Sequence, residues 1–259
     1  MENAPLPSPW IRRALVIFPA GLLLLGTGSM IWHVMKKEVT AARSIRYAAG
    51  LAREINGADI ARYEKILNET LDATAVASFV ESTLGPENMG YNVRKLTGKG
   101  EAGGRIVALD IELTGTQKPR DIVLLVTHHL PLEAGPPAAA GHARATALAM
   151  SAAHARATAL AMSAAHALTG TPVIRSLRLV SVESLAGLQR YYELALRPDE
   201  RVSHVVTLGQ LATLSDAAIL ETLRLNQTGT VVEKPDQTGD AVVAAARLKG
   251  LLLSLADRL

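Results

Sequence analysis

The stretch "GRIVALDIELTGTQKPRDIVLLVTHHL", residues 104–130, decides the fold class. Its first half alternates, with Ala108 and Asp110 on one face and Leu109 and Ile111 on the other. A period of two is typical of a half-exposed strand at a sheet edge or in an antiparallel pair. Its second half, Ile122–Val126, is continuously apolar. Such a run predicts a central strand that is buried on both faces.

Strand and helix patterns alternate on both sides of this stretch. Turn residues bound the strand-like runs, and Gly85-Pro86 ends a helical pattern that starts at about Ala73. The order predicts an α/β three-layer sandwich with a mixed, mostly parallel sheet. The predicted strands are 91–100, 104–115, 121–129, 174–182 and 203–209, and the predicted helices are 59–67, 73–84, 142–169, 184–196 and 240–258, with 218–226 the least clear segment.

An exact duplication lies in the middle of the chain. "HARATALAMSAA" occupies residues 142–153 and recurs without change at 154–165, followed by His166. With no Gly or Pro between His142 and Thr169, the segment predicts one long helix. A step of twelve residues turns a helix by about 120° and advances it by about 18 Å. The histidines that open the copies therefore cannot share one metal ion, and we interpret the segment as a lengthened helix.

The composition excludes some classes of function. The formal net charge is +3, only 3% of residues are aromatic, and there is no cysteine. The scattered basic residues form no aromatic-interleaved patch, so we expect no nucleic-acid partner. Without cysteine, the chain has neither disulfides nor thiolate metal sites.

The N-terminal segment "WIRRALVIFPAGLLLLGTGSMIWHVMKK", residues 10–37, resembles a membrane anchor. No charged residue lies from Ala14 to Val34, and the helix from Ala14 to Trp32 would span about 28 Å, close to the thickness of a bilayer core. A cleaved signal peptide is the alternative. We expect the flanking aromatic and basic residues to lie at the two membrane interfaces: Trp10, Arg12, Arg13, Trp32, Lys36 and Lys37.

Three regions follow from these patterns. Residues 1–36 form a tail and a single transmembrane helix, residues 37–70 a helical neck, and residues 71–259 the α/β domain.

Three motifs carry a resemblance to a known family. "LGPENMGYNV" (84–93), the stretch 104–130 and "HVVTLGQL" (204–211) are similar to the zinc aminopeptidase and glutaminyl cyclase family. The similarity covers roughly residues 70–215. It implies an exopeptidase domain with two co-catalytic zinc ions. The family's ligands are a His-x-Asp motif, a Glu-Glu pair and a further Asp, each at the end of a strand, and a bridging Asp in a loop.

The resemblance leaves two ligand positions filled in this chain. His128 matches the first histidine and Glu183 one glutamate of the pair, but Leu130 stands at the first aspartate. Val182 replaces the expected general base, and Gly209 stands at the last aspartate. The loop 133–145, which should deliver the bridging aspartate, has Glu133 as its only acid.

Two remaining ligands cannot hold two zinc ions, and the base that would activate a bound water is missing. We therefore treat His128 and Glu183 as vestigial, and expect no catalytic residue, no metal and no cofactor. Five other histidines could rebuild a single-metal site, but we interpret each as an ordinary surface or core residue: His129, His142, His154, His166 and His204.

These inferences predict a membrane-anchored pseudoenzyme. We expect a non-catalytic accessory or structural subunit of a larger membrane complex, of respiratory or photosynthetic type, with other subunits and the bilayer as partners. The alternatives are an active zinc aminopeptidase or cyclase with a rebuilt site, and a peptide- or ligand-binding module using the vacant cleft. The resemblance favours a periplasmic domain on a bacterial inner membrane, whereas the basic flanks lean toward the cytoplasm.

Overall fold

The computed structural model comprises two units. The chain divides into residues 1–47 and 48–259. In the first unit the described residues are Trp10, Gly26, Thr27, Ser29, Met30 and Trp32, and in the second they are Gly50–Thr70, 72–85, 88–89, 91–98, 106–128, 140–225 and 229–257, with the side chains of 73, 92, 106–107 and 140–151 left aside.

The described residues of the first unit are helical, and Trp10, Met30 and Trp32 are exposed. Within the described part of the chain, no helix is both long and apolar enough to cross a membrane. Most of the predicted span from Ala14 to Val34, and the four flanking basic residues, lie outside the described residues.

The second unit is an α/β domain built on a mixed sheet. Its described strands are β1 (Asn92–Thr97), β2 (Ile106–Leu113), β3 (Lys118–His128), β4 (Arg175–Val182), β5 (Arg201–Thr207) and β6 (Val231–Glu233). They lie in the order β1-β2-β4-β3-β5-β6. The pairs β1–β2 and β2–β4 are antiparallel, and β4–β3, β3–β5 and β5–β6 are parallel. The predicted mixed sheet is confirmed.

The apolar run of β3 lies where the sequence predicts it. β3 is flanked by β4 and β5, and Ile122–Val126 is buried along its whole length. A strand with a neighbour on each edge and helices on both faces exposes no side to water, so both of its faces are apolar.

Of the two positions predicted for β2, the antiparallel pair is confirmed, but the prediction that the strand is half exposed is wrong. β2 is antiparallel, but it lies between β1 and β4, and Asp110 is fully buried. The alternation reflects pairing of charges inside the fold: Arg94 of β1 lies opposite Asp110 and forms an ion pair with it. A buried carboxylate needs such a partner.

Six described helices cover the two faces of the sheet. They are α1 (Gly57–Glu69), α2 (Ala73–Leu84), α3 (Ala140–Leu168), α4 (Leu185–Ala195), α5 (Asp216–Thr222) and α6 (Ala241–Ala256). One apolar core unites residues of α1, α2, α3 and α6 with one face of the sheet, and a second unites α4 and α5 with the other. α1, which falls in the neck region of the sequence analysis, contributes Ile60, Tyr63 and Leu67 to the first core.

Side-chain caps begin most of these helices. At five helix starts, the side chain of the capping residue accepts a hydrogen bond from a backbone N–H of the first turn. These residues are Asn56, Asp72, Ser184, Ser215 and Asp240. Such residues satisfy donors that have no partner inside the helix. The segment 218–226, whose assignment was unclear, contributes most of α5, because Ser215 starts a helix just before it. The three-residue β6 was not predicted.

The long helix predicted across the duplication is confirmed as α3, 29 residues from Ala140 to Leu168. Every residue from His154 to Ala165 is buried except Arg156, which is half-buried. Ala152 and Ala153, at the end of the first copy, are exposed. The second copy therefore packs into the domain.

Candidate functional site

The carboxyl ends of β3, β4 and β5 meet at one edge of the sheet, where open α/β sheets usually bind ligands. His128, the last residue of β3, lies opposite Val182 of β4, and Glu183 follows directly. Val126 lies opposite Thr207 of β5, and Gly209 is two residues further on. The fold thus brings His128, Glu183 and Gly209 to the same edge, which we call the carboxyl edge.

His128 and Glu183 are each only 4% exposed. The carbonyl oxygen of His128 accepts a hydrogen bond of 2.8 Å from the hydroxyl of Thr158. Thr158 belongs to the second copy in α3, so this helix lies directly against the end of β3. The carboxyl edge is therefore covered by helix at this point rather than open to solvent.

Gly209 has a backbone conformation that favours glycine. Its φ is +61°, in the left-handed region, where a side chain is strained. A Cβ built there would lie 3.0 Å from the Cβ of Ala157, closer than the roughly 3.5–4.0 Å at which carbon atoms pack. An aspartate ligand at this position does not fit without a shift of α3 or of the backbone.

The segment that follows β6 also lies against this edge. The side-chain oxygen of Gln237 accepts a hydrogen bond of 3.0 Å from the backbone N–H of Gly209. Arg156 of α3 donates to the carbonyl oxygens of Gln237 at 3.1 Å and Gly239 at 2.6 Å. The same guanidinium lies 3.5 Å from a carboxylate oxygen of Glu64 in α1. Arg156 therefore joins α1, α3 and the segment 237–239.

The side chains at the carboxyl edge do not fit a two-zinc centre. Such a centre needs several carboxylate and imidazole ligands, and Val182 and Gly209 supply no donor atom. Across the described residues, no three His, Cys, Asp or Glu side chains gather closely enough to hold a metal ion. Leu130 and Glu133 lie outside the described residues.

The other candidate histidines are distributed over the fold. His204 is half-buried on β5, and His154 is buried in α3. His166 lies in the last turn of α3, two turns beyond Thr158 and thus about 12 Å further along the helix. His129 and the side chain of His142 lie outside the described residues.

A buried charged network that the sequence patterns did not reveal lies on the face of the sheet that packs against α4 and α5. Arg178 of β4 is 1% exposed, and its guanidinium lies 2.5 Å from Glu200 and 3.4 Å from Glu112. Burial raises the pKa of Asp110, and the neighbouring Arg94 opposes that rise. The signal was the presence of charged residues inside β1, β2 and β4, but pairing them requires the strand register, which places Arg94 opposite Asp110 and Glu112 opposite Arg178. This network joins β1, β2 and β4 to Glu200, the residue that precedes β5.

Solved structures of the same fold come from zinc exopeptidase-like proteins and glutaminyl cyclases. A protein assigned as a Zn-dependent exopeptidase of Bacteroides vulgatus matches with a TM-score of 0.51 and 10% identity, over 80% of this chain and 98% of that one. Glutaminyl cyclase of Fimbriiglobus ruber matches with 0.53 and 13%, over 78% and 96%. Glutaminyl cyclase of Tannerella forsythia matches with 0.53 and 8%, over 80% and 100%.

The similarity establishes the architecture of the domain. It does not establish the chemistry, which depends on the residues at the carboxyl edge. No protein-family model and no curated protein matches the sequence. The second unit therefore has a peptidase-like α/β fold of the zinc exopeptidase and glutaminyl cyclase type.

Proposed function

We propose that this chain is a non-catalytic, membrane-anchored accessory subunit of a larger membrane protein complex, built on a peptidase-like domain that has lost its zinc site. The observation that carries the loss of the zinc site is the close approach of α3 to Gly209, where a Cβ built on Gly209 would lie 3.0 Å from the Cβ of Ala157. The helix that follows the metal loop in the resembling family here crowds the position of the first side-chain atom of an aspartate ligand.

Chemistry at the carboxyl edge supports the same view. His128 and Glu183 offer two donors, whereas a two-zinc site needs a full set of ligands and a base to activate water. Thr158 and Arg156 bind backbone carbonyls on either side of the edge, so they hold the covering elements in place. These contacts stabilise the fold, and they give the edge a packing role.

The accessory role rests on the sequence of the first unit. Residues 14–34 carry no charge and are bracketed by basic residues and tryptophans, the pattern of a bilayer-spanning helix. A domain without a reaction site that is tied to a bilayer contributes by binding. We propose other subunits of a respiratory or photosynthetic assembly as the bound partners, and a periplasmic position for the domain.

Zinc titration tests the loss of the metal site. Full-length protein in mild detergent is equilibrated with zinc, freed of excess by gel filtration, and analysed by elemental mass spectrometry. We expect no stoichiometric zinc, and the same result for the His128→Ala and Glu183→Gln variants. One zinc or more per chain, lost in either variant, would overturn the non-catalytic proposal and favour a rebuilt metalloenzyme site.

Mass spectrometry of proteins that co-purify from native membranes tests the accessory role. We expect a stoichiometric set of membrane subunits that withstands mild detergent. Recovery of the chain by itself would contradict the accessory role and leave the zinc result standing. The two parts of the proposal can therefore fail separately.

A further inference from the structure

A polar cavity of about 260 Å³ lies far from the carboxyl edge, between α1, α2 and the last turn of α3. This is many times the roughly 30 Å³ that one water molecule occupies in the liquid. Arg53, Arg62, Tyr63 and His166 line it, together with polar residues near the end of α2. Neither the zinc chemistry of the resembling family nor the proposed accessory role involves these residues.

Tyr63 and His166 form a buried pair at this cavity. The Tyr63 hydroxyl lies 3.0 Å from Nδ1 of His166, and the two rings meet edge to face. His166 is 4% exposed, and burial followed by the nearby Arg53 lowers its pKa to about 4. Burial likewise raises the pKa of Tyr63. At neutral pH both groups are therefore uncharged.

Hydrogen-bond accounting selects one tautomer of His166. If Tyr63 donates to Nδ1, the ring proton sits on Nε2, and one buried donor lacks a partner within the described residues. If Nδ1 donates instead, both the Tyr63 proton and Nε2 lack partners. Because buried polar groups are rarely left unpaired, the first arrangement is favoured. It leaves a buried Nε2–H donor without an acceptor in the described part of the protein.

Three backbone acceptors near the cavity are already occupied. The carbonyl oxygen of His166 accepts from the backbone N–H groups of Arg53 and Thr169, and that of Ala165 accepts from the Tyr91 hydroxyl. Thr83 donates to the carbonyl oxygen of Phe79 in α2. None of these three carbonyl oxygens is the acceptor for Nε2–H of His166.

Among the described residues, the charges that act on His166 are positive on balance. Arg53, Arg62 and Asp59 all act on His166, and the Asp59 carboxylate already accepts a hydrogen bond of 2.9 Å from Asn56. The ion pairs that the described structure gives α1 join Lys65 to Glu69 and Glu64 to Arg156, and neither involves Arg62. The guanidinium groups of Arg53 and Arg62 thus outnumber the one carboxylate, that of Asp59, which Asn56 already binds.

We propose that this cavity binds an oxyanion, the carboxylate or phosphate group of a small ligand, with Nε2–H of His166 donating to it and Arg53 and Arg62 supplying positive charge. Charge-assisted hydrogen bonds of guanidinium to carboxylate or phosphate are among the stronger polar contacts in proteins. Such a ligand would satisfy the buried donor and connect α1, α2 and α3.

Thermal unfolding of the full chain at constant ionic strength tests the proposal, with inorganic phosphate or acetate replacing chloride. At ten times the dissociation constant we expect the midpoint to rise by about 3–6 °C. The double variant Arg53→Gln, Arg62→Gln should lose this rise, while Arg190→Gln on the exposed side of α4 should keep it. A rise with only one anion identifies the chemical source of the ligand. An equal rise in all three proteins, or none with either anion, would overturn the site.

Nitrogen NMR of ¹⁵N-histidine-labelled protein is the second measurement, and it does not depend on the variants folding. We expect the His166 ring to carry its proton on Nε2, and the Nε2 resonance to shift as phosphate or acetate is added. A proton on Nδ1, or an unchanged resonance at anion concentrations that raise the midpoint, would contradict the assignment.

Discussion

The two copies of the twelve-residue repeat have the same sequence, but their last two residues lie in different surroundings. Ala164 and Ala165 of the second copy are 0% and 8% exposed, whereas the equivalent Ala152 and Ala153 of the first copy are exposed. Local helix propensity is identical in the two, so it cannot explain this difference. The two pairs of alanines differ in their position along α3 relative to Thr158, which contacts His128 at the end of β3. Substitutions placed in the packed copy, or at matched positions in both, therefore separate helix propensity from tertiary packing.

Replacing Leu160 by Ala should have the largest effect. Leu160 is 1% exposed in the core shared by α1, α3, α6 and the sheet. Loss of its side chain leaves a cavity and should lower the free energy of unfolding by about 2–5 kcal/mol, measured by chemical denaturation. Leu194→Ala is the control, because Leu194 is a helical leucine that is 56% exposed. A similar loss of stability in both variants would show that the buried position of Leu160 in the second copy does not cause the effect.

Acid should destabilise the domain through His166, the residue that follows the second copy. Its pKa is about 4 in the fold and 6.5 in the unfolded chain. Between these values the unfolded chain binds the extra proton, so stability falls as the pH drops from about 6.5 to 4. The shift corresponds to about 3 kcal/mol at the acid end. Unfolding curves across this range should show a shallower pH dependence for His166→Gln, and parallel curves would contradict the buried neutral histidine.

The matched pair Ala164→Leu and Ala152→Leu tests the comparison most directly, because the two changes have the same sequence context. At the buried Ala164, the larger side chain should cost about 1–3 kcal/mol through overpacking. At the exposed Ala152 the effect should stay within about 0.5 kcal/mol. Equal effects in chemical denaturation would mean that the copies are equivalent in solution.

This difference also shows what could be predicted from the sequence. The periodicity and the absence of Gly and Pro predicted α3, and the apolar run Ile122–Val126 predicted a central strand, because both are local patterns. Which copy would be buried depends on contacts with β3 and Gly209, which lie about 30 and about 50 residues away in the chain from the second copy. Local pattern carries no information on such contacts.

The same reasoning applies to the sites. His128 and Glu183 could be placed at one sheet edge because the ends of parallel strands meet there. The covering of that edge by Ala157, and the pairing of Tyr63 with His166, join residues far apart in the chain. Asp110 shows the same limit of local pattern. An acidic residue on an alternating strand indicated exposure, and only its register with Arg94 shows why it is buried.

Removing one copy should have the smallest effect on stability. Deleting residues 142–153 or residues 154–165 gives one and the same chain, since the copies are identical. The remaining copy is then joined to His166, Leu168 and Thr169, all buried, so it should take the packed position. If the remaining copy instead kept the place of the first, the residues after it would move back by twelve positions. Pro172 would then take the place of Leu160 inside α3, where a proline breaks the helix.

The shortened chain can also reach this position. Residues 129–141 would connect β3 to the remaining copy, and thirteen extended residues span up to about 43 Å. His154 lies one helical turn, about 6 Å, before Thr158, which already contacts His128. We expect circular dichroism to show the loss of twelve helical residues, with an unfolding midpoint within a few degrees of the parent. A loss of stability as large as that of Leu160→Ala would mean that the first copy packs as the second does, and would remove the distinction between them.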